Sequence, residues 1–283
     1  MKKKILVAGG AGFIGFHLCQ KLLKNNIVIV IDNFYTGSKK NIKILSKNKN
    51  FKFFKKNVQT KLNLDCDEIY NLACPASPKK YQKNPLDTIK TNVLGSINLL
   101  EIARTNNAKI FQASTSEIYG DPLEHPQREN YNGNVNIIGK RACYDEGKRL
   151  AESIFFDYFR THDINIKIAR IFNSYGPYMN VDDGRVVSNF IISALRDESL
   201  VINGNGNQTR SFCYIDDTIN GITKLMNSKK SINGPVNIGS NKETTIKSLA
   251  KTIIKLTNSN SKIVYKNKVE DDPVKRKPSL KLA

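Results

Sequence analysis

Tyr144 and Lys148 stand four residues apart, the spacing that carries two side chains on one helix face a single turn from each other. A free phenol ionises near pH ~10, too high for a base at neutral pH, and a cation beside it favours the phenolate by about 1.4 kcal/mol for each unit its pKa falls. The pair therefore reads as a proton-abstracting tyrosine with a supporting lysine. Alone, this spacing arises often by chance; the opening of the chain gives it context. The apolar run from Ile5 meets Gly9, Gly12 and Gly15, and a second apolar run, Ile27 to Ile31, stops at Asp32. Glycines after a strand and before a helix, with a carboxylate about 20 residues further on, form a dinucleotide-binding fingerprint. Gly9 suits the tight turn, Gly12 the approach of a pyrophosphate, and Gly15 the close packing of helix on strand. Phe13 and Ile14 open that helix, whose free N–H groups face the phosphates. Asp32 can accept the ribose hydroxyls, and its charge repels a 2′-phosphate. Asn33-Phe34-Tyr35 supply no arginine to accommodate one, so NAD is expected rather than NADP. Lys148 would then also bond the nicotinamide ribose.

The elements that must position these groups follow from periodicity. Lys52 to Val58 reads as a strand, with Asn57 and Val58 at the adenine edge. Glu68 to Ala73 is the next, and Leu72 and Ala73 at its end join the cofactor surface. Pro75 and Pro78 lie so close together that they forbid helix and fix a loop, at the carboxyl rim where open α/β sheets bind ligands. Thr88 to Thr105 reads as an amphipathic helix with Ile89, Val93, Ile97, Leu100 and Ala103 on one face. Lys109 to Ala113 then delivers Ser114-Thr115-Ser116-Glu117 to the same rim. The fold class is α/β: a Rossmann-type doubly wound parallel sheet with a smaller C-terminal α/β substrate-binding domain.

Composition narrows the function. No apolar stretch reaches the ~18 residues of a membrane span, and Lys2-Lys3-Lys4 fails as a signal peptide because glycines and Asp32 follow. The five cysteines, Cys19, Cys66, Cys74, Cys143 and Cys213, have no paired metal spacing, so no metal is expected, and they suit free thiols in a reducing cytoplasm. A net charge of +20 over 283 residues attracts anions. The lysines are scattered among asparagines without the stripe or interleaved aromatics of nucleic-acid readers, so no nucleic-acid partner is expected; an anionic nucleotide sugar would profit from the field.

The order of glycine trio, strand-end Asp32, Ser114-Thr-Ser-Glu117 and Tyr144-x-x-x-Lys148 resembles the extended short-chain dehydrogenase/reductase superfamily. Within it, several blocks resemble the UDP-glucuronate decarboxylases, which make UDP-xylose: Asn71-Leu-Ala-Cys-Pro-Ala-Ser-Pro78, Ser114-Thr-Ser-Glu-Ile-Tyr-Gly-Asp-Pro122, His125-Pro-Gln127, Cys143-Tyr-Asp-Glu-Gly-Lys-Arg149, Ala169-Arg-Ile-Phe-Asn173, Asp183-Gly-Arg-Val-Val-Ser-Asn-Phe190 and Gln208-Thr-Arg-Ser-Phe212. The similarity runs through essentially the whole chain. It implies that Thr115, Tyr144 and Lys148 form the oxidation centre with Glu117 beside the sugar. Pro75 would lie on the substrate side, and Asn173, Arg185 and Arg210 would hold the nucleotide-sugar diphosphate. Arg276, in Asp271-Asp-Pro-Val-Lys-Arg276, would sit near the substrate.

The chain departs from the family pattern at Asn57, where an aspartate is usual, and at Tyr178, where an arginine is usual. Relatives continue by about one helix-bearing segment past the position of Ala283, so the substrate domain is expected to be truncated there. The implied reaction is oxidation at C4, loss of carbon dioxide and re-reduction, and Ser116 stands where the related 4,6-dehydratases carry an aspartate as general acid. An NAD-binding domain is expected over residues 1–172, rejoined near 211–239, with 173–210 and 240–283 forming the substrate cap. Apolar flanks on the Thr88–Thr105 helix and the helix of Tyr144 point to a homodimer. The rival readings are a UDP-hexose 4-epimerase and a catalytically silent protein that binds NAD or nucleic acid.

Overall fold

Lys4–Ala8 buries every side chain but the first, as a strand covered on both faces by helices must. It opens a chain that the computed structural model describes over residues 2–267 and 275–283. The first part runs β1 (Lys4–Ala8), α1 (Phe13–Leu22), β2 (Ile27–Asp32), α2 (Lys39–Leu45), β3 (Phe51–Lys55), β4 (Glu68–Asn71), α3 (Pro78–Tyr81), α4 (Pro85–Asn106) and β5 (Lys109–Thr115). A 3-10 turn at Ser116–Tyr119 leads by a long loop to α5 (Ala142–His162) and β6 (Ile166–Ile171). Then follow β7 (Ser174–Tyr175), α6 (Val186–Leu195), β8 (Leu200–Asn203), β9 (Thr209–Ser211), β10 (Cys213–Tyr214) and α7 (Ile215–Met226). The last elements are β11 (Val236–Ile238), β12 (Glu243–Thr245), α8 (Ile246–Thr257), β13 (Ile263–Lys266) and β14 (Lys275–Arg276).

The main sheet has seven strands in the order β11-β6-β5-β4-β1-β2-β3, every neighbouring pair parallel. Chain direction across the sheet reverses between β1 and β4, which opens a crevice at their carboxyl ends. One face is covered by α1, α2 and α7 through Phe16, Leu22, Leu45 and Ile222; the other by α4 and α5 through Leu99, Ala103 and Phe155. A separate apolar cluster joins α6, α8, β8 and β13 through Phe190, Ile202, Ala250 and Ile253. The short sheet β12-β9-β14 ties this smaller region to the C-terminal residues.

Three local expectations need correction. The strand read over Lys52 to Val58 ends at Lys55, and Asn57 starts a turn in which its Oδ1 accepts the Gln59 N–H at 3.0 Å. Pro78, read as forbidding helix, is instead the first residue of α3, where its missing N–H costs nothing. The stripe read as the buried face of α4 is buried only at Leu100 and Ala103, while Ile89 stays 39% exposed. The inward face carries Thr88, Asn92, Gly95, Ser96 and Leu99, because α4 lies too close to its neighbours for a row of isoleucines. A methyl on Gly147 of α5 would fall 2.9 Å from Asn92 Nδ2, and one on Gly95 2.8 Å from Val58. Two of the inward polar side chains donate to backbone, Thr88 Oγ1 to the Asn84 carbonyl at 3.0 Å and Asn92 Nδ2 to the Thr88 carbonyl at 3.1 Å, whereas Asn92 Oδ1 has no hydrogen-bond partner among the described residues.

Candidate active site

A cleft of about 840 Å³ follows the crevice and brings the glycine turn, the Ser114–Glu117 rim, Tyr144, Lys148, Pro75, Asn173, Arg185, Arg210 and Arg276 onto one surface. At its glycine end, Gly9 has φ +80°, and a Cβ there would meet the Leu72 backbone at 2.8 Å. A Cβ on Gly15 would fall 2.3 Å from the Gly9 carbonyl, so α1 can rest on β1 only with glycine at that place. Gly12 differs: a methyl there would meet only the Gly9 carbonyl, at 3.3 Å, and otherwise open space. That bare backbone over the start of α1 is a cradle of the kind a pyrophosphate fills. Phe13, Ile14, Asn33, Asn57, Val58, Leu72 and Ala73 line the same end.

Asp32 closes it. Oδ2 accepts the Ala11 N–H at 3.0 Å and Oδ1 the Phe34 N–H at 2.8 Å, so the carboxylate is fixed by backbone from both sides. Burial pushes its pKa up, against the pull of those two N–H groups. Asn33 Oδ1 is turned to the Tyr35 N–H at 2.9 Å, and the Tyr35 hydroxyl reaches across to the Lys80 carbonyl at 3.1 Å. Tyr178, with φ +66°, lays its ring on Phe16 of α1 with 4.5 Å between centroids.

At the opposite end, α5 presents Tyr144 and Lys148, both nearly fully buried. The Tyr144 ring stacks on Tyr81 of α3, 4.9 Å between centroids and 4° from parallel. Burial drives the Tyr144 phenol well above its ordinary value, while its hydrogen bond with Thr115 pulls the other way. This corrects the expected lowering by Lys148. The lysine's Nζ donates to the Ala113 carbonyl at 2.8 Å, lies 6.0 Å from the centre of the tyrosine ring, and has its own pKa lowered by burial. Desolvation of the phenol is the larger effect.

Glu117 is gripped from two directions, by Arg141 at the start of α5 and by Arg276 on β14. Burial raises its pKa, but the two guanidinium groups win and hold it down to about 2, so it is a carboxylate at any working pH. Arg276 stands opposite Arg210 in the pairing of β14 with β9; both are buried, and Arg210 Nη1 donates to the Thr209 carbonyl at 2.8 Å. Arg185, at the start of α6, is held by Asp183, its Nη2 donating to Oδ1 at 2.9 Å. Asn173 Nδ2 donates to the Ser211 carbonyl at 3.5 Å. Of the block Asp271-Asp-Pro-Val-Lys-Arg276, Asp271 to Val274 lie outside the described residues.

Sequence reasoning missed Arg141, Asp145 and Tyr81. Arg141 and Asp145 carried a readable signal, since they stand four residues apart on either side of Tyr144, the spacing at which opposite charges meet on one helix face. Tyr81 carried none: it lies among lysines in Pro78-Lys-Lys-Tyr-Gln82, and only tertiary contact puts it on Tyr144. Among the described residues, no group of three or more His, Cys, Asp or Glu is placed to hold a metal, and no helix is long and apolar enough to cross a membrane.

Comparison with known proteins puts this geometry in a family. Residues 5–239 match the NAD dependent epimerase/dehydratase family. The chain is 52% identical to UDP-glucuronic acid decarboxylase 3 of Arabidopsis thaliana over 99% of its own length and 82% of the relative's. It is 46% identical to UDP-glucuronic acid decarboxylase 1 of Xenopus tropicalis, over 100% of this chain and 67% of that one. Among solved structures, UDP-N-acetylglucosamine 4-epimerase from Methanobrevibacter ruminantium superposes with a TM-score of 0.91 at 26% identity, covering 100% of this chain and 91% of that one. UDP-glucuronic acid 4-epimerase from Bacillus cereus, in complex with UDP-glucuronic acid and NAD, gives 0.88 at 30% identity, covering 99% and 91%. With half its residues shared with these relatives along nearly its full length, the chain belongs to the UDP-glucuronic acid decarboxylases of the NAD-dependent epimerase/dehydratase family.

Proposed function

We propose that this chain decarboxylates UDP-glucuronate to UDP-xylose, with NAD held by Gly9, Gly12, Phe13, Ile14, Gly15, Asp32, Asn33, Asn57, Val58, Leu72 and Ala73 and by Tyr144 and Lys148 from the far side. The observation that carries the reading is Glu117, kept ionised by Arg141 and Arg276 beside Thr115 and Tyr144. A carboxylate with a pKa of about 2 cannot donate a proton to a departing hydroxyl at neutral pH, and Ser116 next to it is no acid either. That disfavours dehydration. Loss of carbon dioxide needs no general acid on the leaving group.

When bound, NAD would supply the hydride acceptor and donor for sugar C4; a ketone there, β to the C5 carboxylate, would make loss of carbon dioxide facile, with a proton from water taking the carboxylate's place at C5. The protein's own residues do the rest. Thr115 fixes the C4 oxygen against Tyr144, which takes the hydroxyl proton; Lys148 favours the phenolate. Because burial opposes that ionisation, the base gains strength as pH rises. Asn173, Arg185 and Arg210 hold the diphosphate, whose oxygens suit guanidinium forks, and Pro75 and Arg276 border the sugar.

Residues 1–172 with 211–239 form the NAD domain in this reading, and 173–210 with 240–283 the substrate cap. A homodimer is supported by Leu86, Ile89 and Leu94 on α4 and Leu150 on α5, all exposed, and a cytoplasmic location by the five free thiols. The test is to supply UDP-glucuronate and UDP-galactose separately. Carbon dioxide from the first with UDP-xylose identified by NMR is expected; interconversion of UDP-galactose and UDP-glucose without gas would replace this reading with a 4-epimerase.

A further inference from the structure

Among the described residues, Arg141 faces two carboxylates. It grips Glu117 through Nη2, and its Nε lies 3.9 Å from Asp145 Oδ2, one turn along α5. Asp145 is 5% exposed, and its Oδ1 has no hydrogen-bond partner among the described residues. A buried carboxylate so poorly bonded is unusual, since buried charges are ordinarily paired and hydrogen-bonded. The ionisable groups around it come from several elements. Glu117 faces it from the turn after β5, Arg276 from β14 and Tyr81 from α3, with Arg141 and Glu146 on its own helix. Asp145 is absent from the residues that line the cleft, whereas Glu117 and Arg141 are among them. It therefore touches no ligand there and reaches the chemistry through Arg141 and through its charge on Glu117.

We propose that Asp145 is a positioning residue that acts on Glu117 through Arg141: two carboxylates share one guanidinium, and the charge on Asp145 sets how firmly Arg141 holds Glu117 at the sugar. The role of Glu117 beside the sugar is taken from the function proposed above. A neutral Asp145 competes less with Glu117 for the arginine. An ionised one competes for it and adds a like charge to the cluster. Burial and the Glu117 charge push Asp145 up to about 7 against the pull of Arg141 and Arg276, so the exchange falls in the neutral range. The proton involved passes between Asp145 and solvent, and no other atom is transferred.

The test uses the NAD-loaded full chain with carbon-13 in its glutamate side-chain carboxyls, the Glu117 resonance being assigned by its loss in Glu117→Gln. In the parent this resonance is expected to step near pH 7, far above the titration of Glu117 itself. The step should vanish in Asp145→Asn and return, displaced, in Asp145→Glu. In parallel, the ratio of kcat for carbon dioxide release between Asp145→Asn and the parent should change with the same step, KM for UDP-glucuronate moving little. A Glu117 resonance flat through the neutral range in the parent overturns the proposal, and so does a step that persists in folded Asp145→Asn. If Asp145→Asn does not fold, Asp145→Glu decides: a step that stays in place sinks the idea. The resonance needs no turnover, so a step without carbon dioxide release would refute the decarboxylase reading and leave this coupling standing.

Discussion

In the glycine-built end of the cleft, Gly9, Gly12 and Gly15 fall within one turn and act by the side chains they lack. In the charged end, Thr115, Glu117, Arg141, Tyr144, Arg210 and Arg276 arrive from β5 and its following turn, α5, β9 and β14, and act by the side chains they carry. The first end is a property of local backbone geometry. The second is a property of long-range register, such as the pairing that sets Arg276 opposite Arg210. A local site fails when atoms are added to it, and a register-built site fails when charges are taken away.

The largest effect should come from the charged end. Tyr144→Phe removes the base while leaving the ring on Tyr81, so kcat for carbon dioxide release should fall by roughly 10²–10⁴, the range for one positioned acid–base group. UDP-sugar binding and NAD content should change little. An equally fast variant would end the assignment.

Next is Glu117→Gln, which takes the carboxylate away from the buried Arg276 and the half-buried Arg141. Loss of one partner of a buried ion pair costs roughly 3–5 kcal/mol, read by denaturant unfolding. The pH dependence has a definite sign. Because the folded-state pKa is lowered, to about 2, the stabilisation is present above the ordinary glutamate value and is lost as pH falls towards 2. The parent should therefore lose thermal stability across that acid range, and Glu117→Gln should lose less; parallel curves would show that the two arginines do not bind this carboxylate in solution.

Gly15→Ala sharpens the other side of the comparison. Its methyl would lie 2.3 Å from the Gly9 carbonyl and 2.7 Å from Gly10 Cα, both backbone, so neither can turn aside. Overpacking of this kind costs about 1–3 kcal/mol, and NAD content should drop with it while the Glu117 cluster keeps its acid titration. Parent-like stability and NAD content in this variant would mean that the turn is softer than its geometry implies.

What could be read from sequence follows the same division. The turn at Gly9, the strand ending at Asp32 and the rim at Ser114–Glu117 were legible because spacing alone encodes them. Ile89, Val93 and Ile97 misled because periodicity reports which residues share a face, and not which face meets a neighbour. Close approach at Gly147 and Gly95 gave the inner side of α4 to Thr88, Asn92 and Ser96. The fall in the Tyr144 pKa expected from its neighbour Lys148 was misjudged for a related reason: spacing reports proximity to a cation, and burial beneath Tyr81 is invisible to it. The two arginines on Glu117 lie 24 residues after it and 159 after it, a closure that no local pattern announces.

That closure bears on how the enzyme comes into being on the ribosome. Synthesis runs from the amino end, so the turn at Gly9, Tyr144 and the first arginine of the Glu117 pair have all emerged while β6 still awaits its outer neighbour β11. Arg276 comes later still. A nascent chain can thus carry the glycine turn while its Glu117 has one of these two guanidinium groups, and the second arrives only when β14 docks beside β9.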